Sequence, residues 1–156
     1  MREDSKVPEF GGGTYLGFDY GERNIGVAVG QRVTETATGL ETIRATSDQA
    51  LWSAVGRLVK TWQPSAFIVG MPYHPTGEVN PIVQPILKFC QQLEERYQRR
   101  VYIMDETLST KESQEIFYRE RSKRSVQFTD IKDELAAQLI LQTWLKHTAQ
   151  REPSDA

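Results

Sequence analysis

The chain has 156 residues, 38% of them hydrophobic, with a formal net charge of −2 and a single cysteine. That is enough apolar material for one compact domain and too little chain for a second of ordinary size. The lone cysteine excludes an internal disulfide framework and a thiolate-rich metal site, no apolar run approaches the roughly 20 residues of a membrane span, and the polar start lacks the apolar stretch of a secretory signal, so a cytoplasmic location is expected.

Residues 1–13 end in a Gly-rich run and read as a flexible tail. A strand is predicted near Tyr15 to Asp19, a tight turn at Tyr20 to Arg23 and a second strand at Ile25 to Val29, together a hairpin. A third, weaker strand follows near Gly39 to Ile43. In "SDQALWSAVGRLVKTW", Leu51, Val55, Leu58, Val59 and Trp62 recur at helical spacing, with Ser47 or Asp48 as cap and Pro64 beyond the end. Next come a buried strand, "AFIVGM", the loop "PYHPTGEVNP", and a helix carrying Ile82, Ile86, Phe89 and Leu93. Cys90 shares that spacing and reads as a packed core thiol rather than a nucleophile. The strand "VYIMDE", a helical segment from about Thr110 into the basic run "RERSKR", and a last helix from roughly Ile131 to Lys146 complete the order. A second tail is expected over 148–156, which leaves 14–147 as one domain.

Three strands followed by alternating helices and strands predict an α/β fold, an antiparallel three-strand meander extended by parallel strands into a mixed sheet with helices on both faces. Ligands of such sheets sit outside the carboxyl ends of the strands. Three acidic positions converge there in this reading: Asp19 at the end of the first strand, Asp105 or Glu106 at the end of "VYIMDE", and Asp133 at the opening of the last helix. Asp133 lies three, four, seven and eleven residues before Ala136, Ala137, Ile140 and Trp144, on the helix face that packs. Singly, each carboxylate has a structural explanation: a cap, a turn bond, an ion pair. Together, they are what hard divalent cations require, because like charges held close repel unless a cation sits between them.

"GFDYGERNIGVAVG", "FIVGMP", "DETLST" and "KDELAAQLILQTWL" resemble the YqgF/RuvX family, whose members are described as pre-16S rRNA nucleases and are related to Holliday junction resolvases of the RuvC type. The resemblance spans about Leu16 to Leu145, with the motifs in family order. It implies a ribonuclease H-like fold and metal-dependent nuclease chemistry, and it places the family's acidic ligands on Asp19, Glu106 and Asp133 and its basic turn position on Arg23. Asp105 is the fallback for Glu106, since strand alternation sends the two to opposite faces. Where the family commonly has an arginine after the acidic pair, this chain has Thr107. Lys111, one turn further on, is a substitute phosphate contact.

The implied reaction is phosphodiester hydrolysis assisted by Mg²⁺ or Mn²⁺, as two ions about 4 Å apart. Arg23, Lys111, Arg121, Lys123 and Arg124 are candidates to hold phosphates, a role that sets affinity more than sequence choice. The run "RERSKR" would bring local positive charge to an acidic protein if the loop from about Glu120 to Thr129, expected to be mobile without substrate, folds over the site. Precursor ribosomal RNA is the expected partner, with no membrane, in a monomer or homodimer. A junction resolvase acting on branched DNA, an ATPase of the actin and sugar-kinase type suggested by Asp19-Tyr20-Gly21, and a noncatalytic RNA- or ribosome-binding module are the alternatives. The ATPase reading suffers from length, because such enzymes close two of these domains around a nucleotide.

Overall fold

The computed structural model describes residues 13–72, 81–105 and 128–155. Its five strands are β1 (Thr14–Tyr20), β2 (Asn24–Gln31), β3 (Thr36–Arg44), β4 (Ala66–Met71) and β5 (Arg100–Asp105). The helices among the described residues are α1 (Asp48–Trp62), α2 (Val83–Tyr97) and α3 (Phe128–Asp155). The strands form one sheet in the order β3-β2-β1-β4-β5, with β2 antiparallel to β1 and β3, and with β4 and β5 parallel to β1 and to each other. This is the expected mixed sheet with helices on both faces.

Alternation along the strands sorts the core into two. Leu16, Phe18, Ile25, Val27, Phe67 and Val69 point to one face, under α1 and α2. Tyr15, Ala28, Ala66, Ile68 and Met104 point to the other, under α3. Capping sets the helix ends: the Ser47 hydroxyl accepts the Ala50 amide at 3.0 Å and starts α1, as expected. Gln63 and Gln98, in left-handed backbone with φ of 47° and 56°, end α1 and α2 by donating their amides to Val59 and Glu94.

β3 and α3 exceed their predicted lengths the most. β3 takes nine residues, Thr36–Arg44, because its polar backbone is bonded by β2 along one edge and by side chains of α3 elsewhere. α3 starts at Phe128 rather than near Ile131 and continues to Asp155 through most of the stretch expected as a tail. Its far half is anchored by Arg32, which donates to the Leu145 carbonyl at 3.5 Å and the Thr148 hydroxyl at 3.0 Å. The helical segment expected from Thr110, and the basic run after it, lie outside the described residues.

Candidate active site

The site is built where α3 crosses the end of the β1–β2 hairpin. Asp19 shares its face of β1 with Tyr15 and Gly17, the face that α3 covers. Its cross-strand partner in β2 is Gly26. Directly above Gly26 lies the backbone of Asp133: a Cβ at Gly26 would overlap the Asp133 carbonyl and stand 3.1 Å from its Cα. The absent side chain therefore lets Asp133 come down beside Asp19. Both aspartates are partly buried.

The rest of the α3 face repeats this device. A Cβ at Gly17 would lie 2.8 Å from Leu141 Cβ, one at Gly30 would lie 2.9 Å from Leu141 Cδ2 and Leu145 Cδ1, and one at Gly39 would lie 3.1 Å from Glu134. Contacts run from Asp133 over Gly26, through Leu141 over Gly17, to Trp144 against Tyr15, so α3 travels antiparallel to β1 with its acidic end at the strand's carboxyl end.

Register along this path is fixed by two glutamines. The Gln138 amide oxygen accepts the Gly39 N–H at 3.2 Å, and that of Gln142 accepts the Ala37 N–H at 2.8 Å while its nitrogen donates to the Glu35 carbonyl at 2.8 Å. Pairing of β2 with β3 slips between Val27 and Ala28, which face Glu41 and Gly39 and leave Leu40 as the extra residue of a bulge. Gln138 and Gln142 were not anticipated as positioning residues. Their signal was a pair of amides four apart, one step round the helix from the apolar stripe.

Asp133 does not open the helix. It is five residues beyond Phe128, past the first turn to which capping and dipole stabilisation are confined. Asp105 is paired with Met71 and alternates with Met104, so it lies on the α1/α2 face, opposite Asp19. Arg23 is exposed in the hairpin turn, and its carbonyl accepts the Ala45 amide at 2.8 Å, tying that turn to the end of β3. Glu106, Thr107, Lys111, Arg121, Lys123 and Arg124 lie outside the described residues.

The RuvX family pattern, described as Holliday junction resolvase, matches residues 13–147. The chain belongs to the RuvX family. A relative from Methylococcus capsulatus, named "Putative pre-16S rRNA nuclease", is 56% identical over 133 residues, 85% of this chain and 88% of its own length. One of the same name from Hydrogenovibrio crunogenus is 39% identical over 85% of this chain and 93% of its own length. In fold, the chain resembles Thermus thermophilus RuvC in complex with a Holliday junction substrate, with a TM-score of 0.59 and 19% identity over 86% of this chain and 96% of that one. The yeast mitochondrial Holliday junction resolvase Ydc2 aligns with a TM-score of 0.57 and 13% identity over 97% of this chain and 85% of that one. The fold of this RuvX member is thus that of the ribonuclease H-like resolvases, and the family is one of hydrolytic nucleases.

Among the described residues no three potential metal ligands converge. Asp19 and Asp133 nevertheless suit a divalent cation: they carry hard oxygen donors at one strand end, the donor type that Mg²⁺ and Mn²⁺ take. No helix among the described residues is long and apolar enough to cross a membrane.

Proposed function

We propose that the protein is a divalent-metal-dependent endonuclease that hydrolyses RNA phosphodiesters, acting in 5′-end maturation of precursor 16S ribosomal RNA. The observation that carries the reading is the seating of Asp133 over Gly26, the cross-strand partner of Asp19. Bringing two carboxylates together costs electrostatic repulsion, and family membership supplies the reason to accept that cost. Glu106 is the third ligand in this reading. Asp105 faces away from Asp19, so continued alternation would return Glu106 to the Asp19 face. The same argument makes Asp105 a weaker ligand candidate.

Asp19, Glu106 and Asp133 would hold Mg²⁺ or Mn²⁺, which when bound supplies Lewis-acid stabilisation of phosphate charge and lowers the pKa of a water. The protein's own part is placement: the sheet holds Asp19, and the glutamine-anchored helix holds the Asp133 backbone over Gly26, at the same strand end. Arg23 at the turn, with Lys111, Arg121, Lys123 and Arg124, would contact phosphates and set affinity. Choice of RNA follows the names of the relatives from Methylococcus and Hydrogenovibrio. The resolvase description of the family pattern favours a second reading, cleavage of branched DNA.

The deciding experiment compares cleavage of a precursor 16S rRNA fragment, an unstructured RNA and a four-way DNA junction in Mg²⁺ or Mn²⁺, with Asp19→Asn as control. The proposal expects the RNA precursor to be cut, chelation to abolish cutting, and re-added metal to restore it. Cleavage of the junction alone would establish the second reading, and full activity of Asp19→Asn would overturn the site.

A further inference from the structure

Asp19 and Asp133 occupy one side of the sheet's carboxyl rim. Tyr20, the next residue after Asp19, points to the α1/α2 side and forms part of an open cleft of about 500 Å³. That is within the range of small-molecule sites, about 300–1,000 Å³. Asp48 from the first turn of α1 lines it, with Gln84, Lys88, Phe89 and Gln92 from α2. Gln84, Lys88 and Gln92 are spaced by four residues and form one ridge of the helix. The Tyr20 ring lies 5.2 Å from that of Phe89.

We propose that this cleft holds an unpaired nucleobase of the same RNA strand whose scissile phosphate lies at Asp19, an inference that rests on the nuclease reading above. The aromatic and polar parts of the lining, set beside the apolar Leu51 and Pro85, suit such a ligand. Tyr20 offers aromatic surface, backed by the buried Phe89 ring, the Gln84 and Gln92 amides both donate and accept along a base edge, Asp48 accepts from a ribose hydroxyl or exocyclic amine, and Lys88 meets a phosphate. An apolar peptide anchor would leave most of these polar groups without a counterpart. Position gives the second argument. Consecutive Cα atoms are about 3.8 Å apart, so Asp19 and Tyr20 mark the two sides of one rim, and an extended strand passing over it meets both. A base still paired in a duplex cannot enter between two helices. The enzyme would therefore require unpaired sequence beside its cleavage point.

The test uses Asp19→Asn protein, which binds without cutting, and follows backbone amide signals of Asp48, Lys88 and Gln92 by NMR. The probes are single-stranded RNA tetramers, the same sequences within a hairpin stem, and the nucleoside monophosphates. The expected result is that tetramers move these amides and stems do not. Gln84→Trp, which fills the cleft from an exposed helix position, should weaken tetramer binding about tenfold, the scale of one lost stacked base. Lys88→Ala should flatten the salt dependence by about 0.7 in log–log slope. Cleft amides unmoved by tetramers, with precursor RNA still cut by the unaltered chain, would overturn this inference and leave the nuclease reading intact. Monophosphates binding as tightly as tetramers would also overturn it, in favour of a free-nucleotide site. Amides that move while the unaltered chain cuts no RNA would overturn the nuclease reading instead.

Discussion

The two faces of the sheet both bury a hydrophobic core but differ in how closely a helix approaches the strands. Under α1 and α2 the strands carry large side chains, and the rings of Phe18, Phe67, Phe89 and Trp52 interlock at centroid distances of 5.4 to 6.0 Å. Under α3 the large side chains of Tyr15, Ile68 and Met104 are joined by Gly17, Gly26, Ala28, Gly30, Ala37 and Gly39, and over these small residues the helix comes down close to the sheet. Bulky contacts give the first face more apolar area to bury, and burial is what stabilises. Small residues forgo some of that area on the second face. What they gain is position: a helix held by backbone approach cannot drift, so Asp133 stays over Gly26. One face holds the fold together, and the other aims the site.

That contrast can be broken first at Phe67, fully buried against Phe18 and Tyr97. Phe67→Ala should cost about 3–5 kcal/mol in urea unfolding, while cleavage per folded molecule stays near that of the unaltered chain. Gly26→Ala should reverse the pattern. Its Cβ meets helix backbone rather than the end of a flexible side chain, so a loss of about 1–3 kcal/mol is expected together with loss of cleavage. Equal losses of activity per folded molecule in both variants would erase the distinction between the faces.

A smaller effect belongs to Cys90, on the bulky face. Burial pushes its thiol up to about 11 from an ordinary value near 9.0. Because the folded state disfavours the thiolate, this contribution to stability is complete below the unfolded pKa and is lost as pH rises from about 9 towards about 11. Urea midpoints measured across that window should fall, and Cys90→Ala should fall less steeply. Alkylation of the native thiol at pH 8 should be slow for the same reason. Smallest of all is Gly56, within α1, where a Cβ would come 3.4 Å from the Tyr97 hydroxyl. Gly56→Ala should raise stability by up to about 1 kcal/mol through helix propensity, the opposite sign to Gly26→Ala. A destabilised Gly56→Ala would show that close approach constrains the bulky face too.

Much of this was legible without coordinates because it is written in local pattern. Alternation along Tyr15 to Asp19, the helical spacing from Leu51 to Trp62, the run "AFIVGM" and the Ser47 cap each depend on residues within a turn or a pleat of one another. The three acidic positions could be named as candidates for the same reason, since each stands near the end of a predicted element. Which side of the sheet each end faces is only partly local: alternation separates Asp105 from Asp19 once the strand register is known.

Register between distant segments is another matter. That Gly26 lies under Asp133 depends on residues 107 positions apart in the chain, and nothing in either neighbourhood encodes it. The bulge at Leu40, the grip of Gln138 and Gln142 on the Gly39 and Ala37 amides, and the extension of α3 beyond its apolar stripe are all decisions of packing. The sequence by itself determined the strands and helices among the described residues and named the candidate carboxylates, because propensity and periodicity are properties of short stretches. Only the tertiary structure decided that Asp133 sits inside its helix rather than at its start, and that an absent side chain on β2 seats it beside Asp19, because steric exclusion acts between whatever surfaces the fold brings together.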